Sequence, residues 1–275
     1  MPKTPLSAVA DRHALYQHAV QAVDAEIDFV DDTFKSLRGR RATSLREDFC
    51  GTANTSCEWV RRRPGNTAVG VDLDQPTLDW GIEHNLSKLK PAARARVTLM
   101  RDNVLTVRTK RPVEIVLAMN FSYFIFKDRA TLRSYFAHAR EGLADGGLFI
   151  LDAYGGSDSF REISEKRPIK QGPPGIGPFT YVWNQAKYDP ITGHTLCHIH
   201  FHLRDGSKIN KAFTYDWRLW TLPEIQEMLA EAGFARSTVY WEGTEPGTRE
   251  GNGVFEPAEH GEADLGWICY IVAEK

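Results

Sequence analysis

The sequence is short of three features: long apolar runs, paired cysteines and a surplus of charge of one sign. No apolar run approaches the roughly 18–20 residues that cross a bilayer, and the first residues, MPKTPLSAVADRH, contain no apolar stretch typical of a secretory signal. The four cysteines include no CxxC pair and do not make a disulfide framework. The formal net charge of -2 gives no general attraction to nucleic acid. We therefore expect a cytoplasmic protein whose partners include neither a membrane nor a nucleic acid.

The rest of the composition is that of an ordinary globular protein. Of the 275 residues, 42% are hydrophobic and 25% are charged, which excludes wholesale disorder and collagen-like repeats. A chain of this length suits one large domain, or a domain that carries a sizeable insertion.

Short apolar strands alternate with helices in the first half of the chain. Residues 13–37 carry apolar side chains at helical spacing and predict one long helix or two short ones. Strands are then predicted at 44–49, 67–73, 96–100, 114–119 and 148–153, and helices at 55–63, 76–89 and 129–143. Because the strands are near-continuous apolar runs separated by helices, they predict a parallel sheet covered on both faces. We expect an α/β fold with a doubly wound, mostly parallel, seven-stranded sheet.

The pattern changes after residue 154. Residues 155–178 are rich in glycine, proline and charge and predict a loop, whereas 179–215 alternate and predict an antiparallel meander of three strands. A helix at 222–232 precedes two closing strands, 237–242 and 267–273, and the polar segment between them predicts a mobile loop or hairpin tip. The predicted domains are an N-terminal helical cap (1–39), an α/β core (40–154), an inserted lid or meander (155–220) and a C-terminal completion of the core sheet (221–275).

Polar or small residues end four of the predicted strands. The first strand leads into the turn Glu47-Asp48-Phe49-Cys50-Gly51-Thr52-Ala53, where small residues let the backbone approach a ligand. About 20 residues later Asp72 ends the second strand, and its carboxylate can accept hydrogen bonds from a ribose diol. Asp102-Asn103-Val104 follows the third strand, and Met119-Asn120-Phe121-Ser122-Tyr123 ends the fourth. Since ligands of such sheets bind at the carboxyl ends of the strands, these residues predict a nucleoside site.

These motifs resemble those of the class I S-adenosylmethionine-dependent methyltransferases, over roughly residues 40–153 and 222–275. In that family a strand and an acid precede a G-x-G-x-G turn. Here Glu47 matches the acid and Gly51 the middle glycine, while Phe49 and Ala53 stand in place of the other two glycines. Phe49 therefore has a second interpretation, in which its ring fills the cofactor pocket of a degenerate sheet. Asp48 either helps to bind the cofactor or caps the next helix.

The resemblance implies S-adenosyl-L-methionine as cofactor and a Rossmann-like methyltransferase fold. It places Glu47 near the methionine amino group, Asp72 on the ribose and Asp102 near the adenine amino group. The cofactor-binding residues that it implies are Glu47, Phe49, Cys50, Gly51, Thr52, Ala53, Asp72, Leu73, Asp102, Asn103, Val104, Asn120 and Phe121.

The second half of the chain is similar to small-molecule N-methyltransferases of the glycine, sarcosine and amino-sugar types. Methyl transfer needs an aligned, unprotonated acceptor and a dry site, and aromatic faces stabilise cations. We expect Tyr123 and Tyr154, which follow strand ends, to be catalytic, and Tyr16, Trp217 and Arg218 to bind a small-molecule acceptor. The aromatic segment 179–220 is predicted to cover the acceptor or to pair with a second subunit in a homodimer.

Two other functions remain open from the sequence. A cyclase or lyase that uses S-adenosylmethionine without methyl transfer needs the same nucleoside motifs, and so does a non-catalytic binding module. His198, His200 and His202 share one face of a strand, which suits a metal site or a base but is more typical of a solvent-facing strand or a subunit interface. We predict no metal.

Overall fold

The computed structural model describes residues 4–248 and 251–275, which form two compact units. The smaller unit combines the described residues up to Ala22 with Gly156–Leu219, and the larger unit combines Val23–Gly155 with Trp220–Lys275. Residues 1–3 of the predicted cap and residues 249–250 of the predicted loop at 243–266 lie outside the described residues. The division into four domains stays a prediction.

Up to β5 the described helices and strands alternate along the chain, except that β4 follows β3 without a helix between them. The helices are α1 (Arg12–Ala19), α2 (Val23–Arg38), α3 (Asn54–Arg62), α4 (Gln75–His84), α5 (Pro91–Arg94), α6 (Arg129–Gly142) and α7 (Leu222–Glu231). The strands are β1 (Ser44–Asp48), β2 (Thr67–Asp72), β3 (Val97–Arg101), β4 (Val113–Ala118), β5 (Leu143–Gly155), β6 (Ile163–Ile169), β7 (Phe179–Tyr188), β8 (His194–Leu203), β9 (Lys208–Arg218), β10 (Arg236–Thr244), β11 (Gly251–Ala258) and β12 (Trp267–Glu274). Residues 13–37, for which one or two helices were expected, form parts of α1 and α2.

Eight of the described strands form the sheet of the larger unit, in the order β11-β10-β12-β5-β4-β1-β2-β3. Strands β1 to β5 pair in parallel, and β12 runs antiparallel between β5 and β10. The predicted doubly wound, mostly parallel sheet is confirmed. The predicted number of seven strands is too low, because Gly251–Ala258 forms a further strand that pairs antiparallel with β10. For residues 243–266 a mobile loop or a hairpin tip was expected, and the antiparallel pair of β10 and β11 favours the hairpin.

Helices cover both faces of this sheet. On one face, Ile27 of α2 and Trp59 of α3 belong to the same buried cluster as Leu45 and Leu117. On the other face, the Phe149 ring of β5 contacts aromatic rings of α6 and the segment after α7, at centroid distances of 5.8 to 5.9 Å. Buried contacts on both sides explain the apolar run Leu148–Leu151 in the middle of β5.

The smaller unit is built on a four-stranded antiparallel sheet, in the order β6-β7-β8-β9. The expected three-strand meander is therefore one strand short, and the expected loop at 155–178 contains β6 as an edge strand. Helix α1 packs on one face of this sheet, where Leu15 and Ala19 join the cluster that contains Ile199 and Phe201. Among the described residues, no helix has both the length and the apolar character needed to cross a membrane.

Candidate functional site

The turn after β1 keeps a glycine-like backbone with few glycines. Phe49 has a φ of 57° and Ala53 a φ of 55°, the same left-handed region as Gly51 at 52°. An L-residue there costs about 1–2 kcal/mol, so other contacts must hold the turn. The turn thus holds two L-residues in a backbone region that favours glycine.

Asp72 joins the ends of β1 and β2. Its carboxylate accepts a hydrogen bond from Gly51 N at 2.8 Å and another from Asp74 N at 2.9 Å. Each carboxylate oxygen has a second lone pair, so Asp72 can still accept two hydroxyl hydrogen bonds. The sequence-predicted residues Gly51 and Asp72 are therefore brought together with acceptor capacity for a diol.

Glu47 lies behind the turn rather than on the surface. It is 6% exposed, and its Oε2 accepts hydrogen bonds from Ser56 N at 2.8 Å and from Ser56 Oγ. Ser56 is the third residue of α3, so the carboxylate caps this helix from the neighbouring strand. Burial raises the pKa of Glu47 to about 7, and the hydrogen bonds from Ser56 oppose that rise.

Asp48 forms a buried ion pair with Arg46, two residues earlier on the same face of β1. Arg46 Nε lies 2.8 Å from Asp48 Oδ1, and Arg46 Nη2 donates to Asp48 Oδ2 at 3.0 Å. The Tyr135 hydroxyl of α6 also donates to Asp48 Oδ2, at 3.0 Å. Asp48 therefore does not cap α3, whose N-cap residue Ala53 makes no side-chain cap. Burial raises the pKa of Asp48, while Arg46 acts in the opposite direction.

Helix α4 fixes the second half of the turn through residues that the sequence analysis missed. Asn85 Nδ2 donates to Thr52 O at 2.9 Å. A Cβ added to Gly81 of α4 would lie 2.5 Å from the same oxygen, so only glycine allows this close approach. The contact between Gly81 and the turn could not be predicted from the sequence, because a glycine inside a helix can have many causes.

The ends of β2 and β3 carry an apolar surface beside two polar residues. Leu73 is 61% exposed directly after Asp72, whereas Val104 is buried. Asp102 N donates to Asp72 O at 3.1 Å and so aligns the two strand ends. Asn103 N donates to Asp102 Oδ1 at 2.7 Å. An exposed leucine next to polar edges fits a flat heteroaromatic ring with hydrogen-bonding groups.

The end of β4 forms a second left-handed turn. Asn120 has a φ of 57° and Phe121 a φ of 56°. Both backbone N–H groups donate to the Asp152 carboxylate of β5, at 2.8 Å each. Asp152 is 7% exposed, and burial raises its pKa to about 7. Asp152 has a positioning role that the sequence analysis did not assign, although a single acid in an apolar strand is a signal for one.

The two tyrosines predicted to be catalytic have different surroundings. Tyr123 is fully buried, and its hydroxyl donates to Asp152 O at 2.7 Å. Burial also raises the pKa of Tyr123 well above its usual value. Tyr154 is the residue before the last of β5 and is half-buried, with its ring 4.7 Å from the Phe121 ring and 5.6 Å from the Phe124 ring. Tyr154 is therefore the less buried of the two, although its hydroxyl oxygen is also buried.

The residues predicted to bind the acceptor lie in the smaller unit. The Tyr16 ring lies 5.0 Å from the Phe213 ring, and the buried Trp217 ring lies 4.4 Å from the Tyr215 ring. Arg218 ends β9 and is half-buried. Their role stays a prediction.

The three histidines of β8 lie in the same unit. His198 is buried and its Nδ1 is 2.9 Å from Thr214 Oγ1, while Lys211 N donates to His200 Nδ1 at 3.2 Å. In the part of the chain that the structure describes, no group of three or more His, Cys, Asp or Glu residues is arranged to hold a metal ion.

The donor set at the carboxyl ends of β1 to β4 fits S-adenosylmethionine. Asp72 offers acceptors for a diol and Leu73 an apolar surface, and the turn through Gly51 is open to backbone approach. The Phe49 ring packs 5.6 Å from Tyr135 and 5.9 Å from Phe126, on the α6 side of the sheet.

Comparison with known proteins reveals likeness in structure only. No protein-family model matches the chain, and no curated protein matches it. CalS10, an amino pentose methyltransferase from Micromonospora echinaspora solved with S-adenosylmethionine bound, has a TM-score of 0.67 and 16% identity over 100% of this chain and 98% of its own. DesVI from Streptomyces venezuelae has a TM-score of 0.69 and 16% identity over 96% and 98%. The sugar N-methyltransferase KedS8 from a Streptoalloteichus species has a TM-score of 0.66 and 15% identity over 97% and 93%.

At such identities the likeness shows the fold. The similar structures cover almost the whole chain, including the residues after β5. The chain has the Rossmann-like fold of the S-adenosylmethionine-dependent methyltransferases, as the motifs at its strand ends predict.

Proposed function

We propose that the chain is an enzyme that transfers a methyl group from S-adenosylmethionine to a nitrogen atom of a small molecule. The observation that carries this proposal is the hydrogen bond from Gly51 N to the Asp72 carboxylate, which combines an open turn and a ribose-binding acid at adjacent strand ends. The proteins of similar structure include an amino pentose methyltransferase and a sugar N-methyltransferase, which supports nitrogen as the acceptor atom.

Each cofactor-binding residue has a task that suits its position. Bound S-adenosylmethionine would supply an electrophilic methyl group on a sulfonium centre. Asp72 would accept hydrogen bonds from the ribose hydroxyls, and Leu73 would cover one face of the adenine. Asp102 and Asn103 would contact the polar edge of the base. The other predicted residues at the ends of β1 and β4 would shape the turns that follow these two strands.

The residues of this chain would orient the acceptor and exclude water from the methyl transfer, without supplying a strong base. Tyr123 stays protonated because burial raises the pKa of its phenol. Tyr154 is half-buried and can present its ring to a positive charge. The acceptor must arrive as a free amine, because its lone pair forms the new bond to carbon while the sulfur keeps the electrons of the broken bond.

The proposal also covers acceptor binding, the partners of the protein and its cellular compartment. Tyr16, Trp217 and Arg218 remain our candidates for acceptor binding, and segment 179–220 for a lid or a homodimer contact. All four cysteines are buried and unpaired, which supports a reducing compartment. We expect no nucleic-acid partner because the net charge is slightly negative.

The Asp72→Ala variant tests the cofactor site. Losing a charge-assisted pair of hydrogen bonds costs about 2–3 kcal/mol, which corresponds to an affinity for S-adenosylmethionine about 30- to 150-fold weaker. Isothermal titration calorimetry measures that affinity, and far-UV circular dichroism checks that the variant is folded. Asp79→Ala, which removes an exposed carboxylate of α4, is the matched control. Equal affinities for wild type and Asp72→Ala would defeat the assignment.

Product analysis separates methyl transfer from other uses of the cofactor. The protein is incubated with S-adenosylmethionine and a panel of small amines, and the products are identified by mass spectrometry. S-Adenosylhomocysteine together with an acceptor that is heavier by one methyl group supports the proposal. Methylthioadenosine would indicate a cyclase or lyase, and binding without turnover across the panel would favour a binding module.

A further inference from the structure

Two bulky aromatic residues adopt a left-handed backbone at the carboxyl ends of neighbouring strands. Phe49 follows β1 with a φ of 57°, and Phe121 follows β4 with a φ of 56°. This region is rare for bulky L-residues, and such outliers cluster at ligand sites. Glycine would relieve the backbone at both places, so the phenyl rings themselves need an explanation.

Each of the two rings is held by aromatic neighbours. The Phe49 ring lies 5.6 Å from Tyr135 and 5.9 Å from Phe126. The Phe121 ring lies 4.7 Å from Tyr154. Both phenylalanines are nevertheless only half-buried. The contacts hold each ring, while each residue as a whole stays partly exposed.

The acids behind the two turns are buried and accept hydrogen bonds from the protein itself. Glu47 accepts hydrogen bonds from Ser56, and Asp152 accepts the backbone hydrogen bonds of Asn120 and Phe121. Both carboxylates are less than 10% exposed, at 6% and 7%. Burial thus separates both carboxylates from a positive charge at the strand ends, where the two phenylalanines are only half-buried.

We propose that Phe49 and Phe121 form two aromatic walls that recognise the positive charge of the sulfonium centre. This inference rests on the proposed function. Neighbouring strands lie about 4.8 Å apart, so a single centre above β1 and β4 can face both rings. A ring face attracts a cation but has no such attraction for the neutral thioether that remains after methyl transfer. The two phenylalanines would thus favour the charged cofactor over the spent one.

The test compares ligands that differ in charge. S-Adenosylmethionine carries a sulfonium, sinefungin carries an ammonium group in its place, and S-adenosylhomocysteine is neutral there. Phe49→Leu and Phe121→Leu keep an apolar side chain but remove the ring. We expect each variant to bind both cationic ligands about 2- to 30-fold more weakly, which corresponds to about 0.5–2 kcal/mol. The affinity for S-adenosylhomocysteine should change by less than twofold in calorimetry.

Two further variants keep the test decisive. Phe49→Gly restores the family residue and relaxes the backbone, so it should fold and still lose the preference for cationic ligands. Phe160→Leu removes a ring of the smaller unit that is 48% exposed and should change no affinity. An equal loss for all three ligands, or no loss for any, would overturn the inference and leave these rings as packing groups. If the wild type binds none of the ligands, the proposed function itself fails.

Discussion

The buried pair Arg46–Asp48 predicts a large and asymmetric response to mutation. Both side chains are at most 1% exposed, and two contacts of 2.8 and 3.0 Å join them. Asp48→Ala leaves a guanidinium that cannot lose its proton. Breaking a buried pair in this way costs about 3–5 kcal/mol. Arg46→Met leaves a carboxyl group whose pKa is already raised by burial, so the group can become neutral instead.

The pH dependence of the two variants should therefore differ. In Arg46→Met, the loss of unfolding free energy should be small at low pH, where Asp48 is protonated. The loss should grow by up to about 1.4 kcal/mol per pH unit above the pKa of an unfolded aspartate, about 3.9, because unfolding then lets the buried, neutral carboxyl group release its proton. In Asp48→Ala, the loss should be large at every pH. The double variant Arg46→Met/Asp48→Leu removes both charges and should recover most of the stability.

Urea unfolding at pH 5, 6, 7 and 8, followed by tryptophan fluorescence, measures these differences. Glu231→Ala breaks an exposed pair with Arg129 and serves as the control, with no measurable change expected. The reasoning is refuted if Asp48→Ala loses less than about 1 kcal/mol, far below the range for a broken buried pair. It is also refuted if the double variant is as unstable as Asp48→Ala.

Two further predictions concern the turn after β1. In Gly81→Ala the new Cβ would lie 2.5 Å from Thr52 O. We therefore expect the free energy of unfolding to fall by about 1–3 kcal/mol and S-adenosylmethionine to bind more weakly, as measured by thermal melts and calorimetry. Gly65 has open space around it, so the control Gly65→Ala should change neither quantity. Because burial raises the pKa of Glu47 from 4.5 to about 7, the stability associated with its neutral form is complete below pH 4.5 and is lost as the pH rises through 7. Glu47→Gln should therefore flatten the fall in unfolding free energy between pH 5 and 8, and an unchanged slope would contradict a raised pKa.

The parallel half of the fold could be predicted because its strands are buried on both faces. Continuous apolar runs such as 67–73 leave no other interpretation once helices separate them. The edge strands β6 and β11 were missed for the opposite reason. Their sequences, ISEKRPI and GNGVFEPA, are polar and each contains a proline. An edge strand buries little and tolerates proline, so its pattern carries almost no signal.

The positions of candidate residues could be predicted where a residue lies at the end of its own strand. Asp72 and Gly51 lie within hydrogen-bond distance, as the ends of adjacent parallel strands predict, whereas their role stays a prediction. The partners of the turn come from distant elements, and the sequence gives no register between them. The contacts of Asp48 with Tyr135 and of Thr52 with Asn85 are examples, since each joins a strand-end residue to a helix whose rotation only packing decides.

The smaller unit is built from two segments that lie far apart in the sequence, and this delays its folding during translation. The Arg12 guanidinium donates to the carbonyl of Ala212, 200 residues later. At about 5–20 residues per second, a ribosome needs roughly 10–40 s to make the sheet on which α1 packs. During that time the apolar side chains Leu15 and Ala19 have no partner surface of their own unit. The nascent chain thus exposes its first helix until most of the protein has been translated.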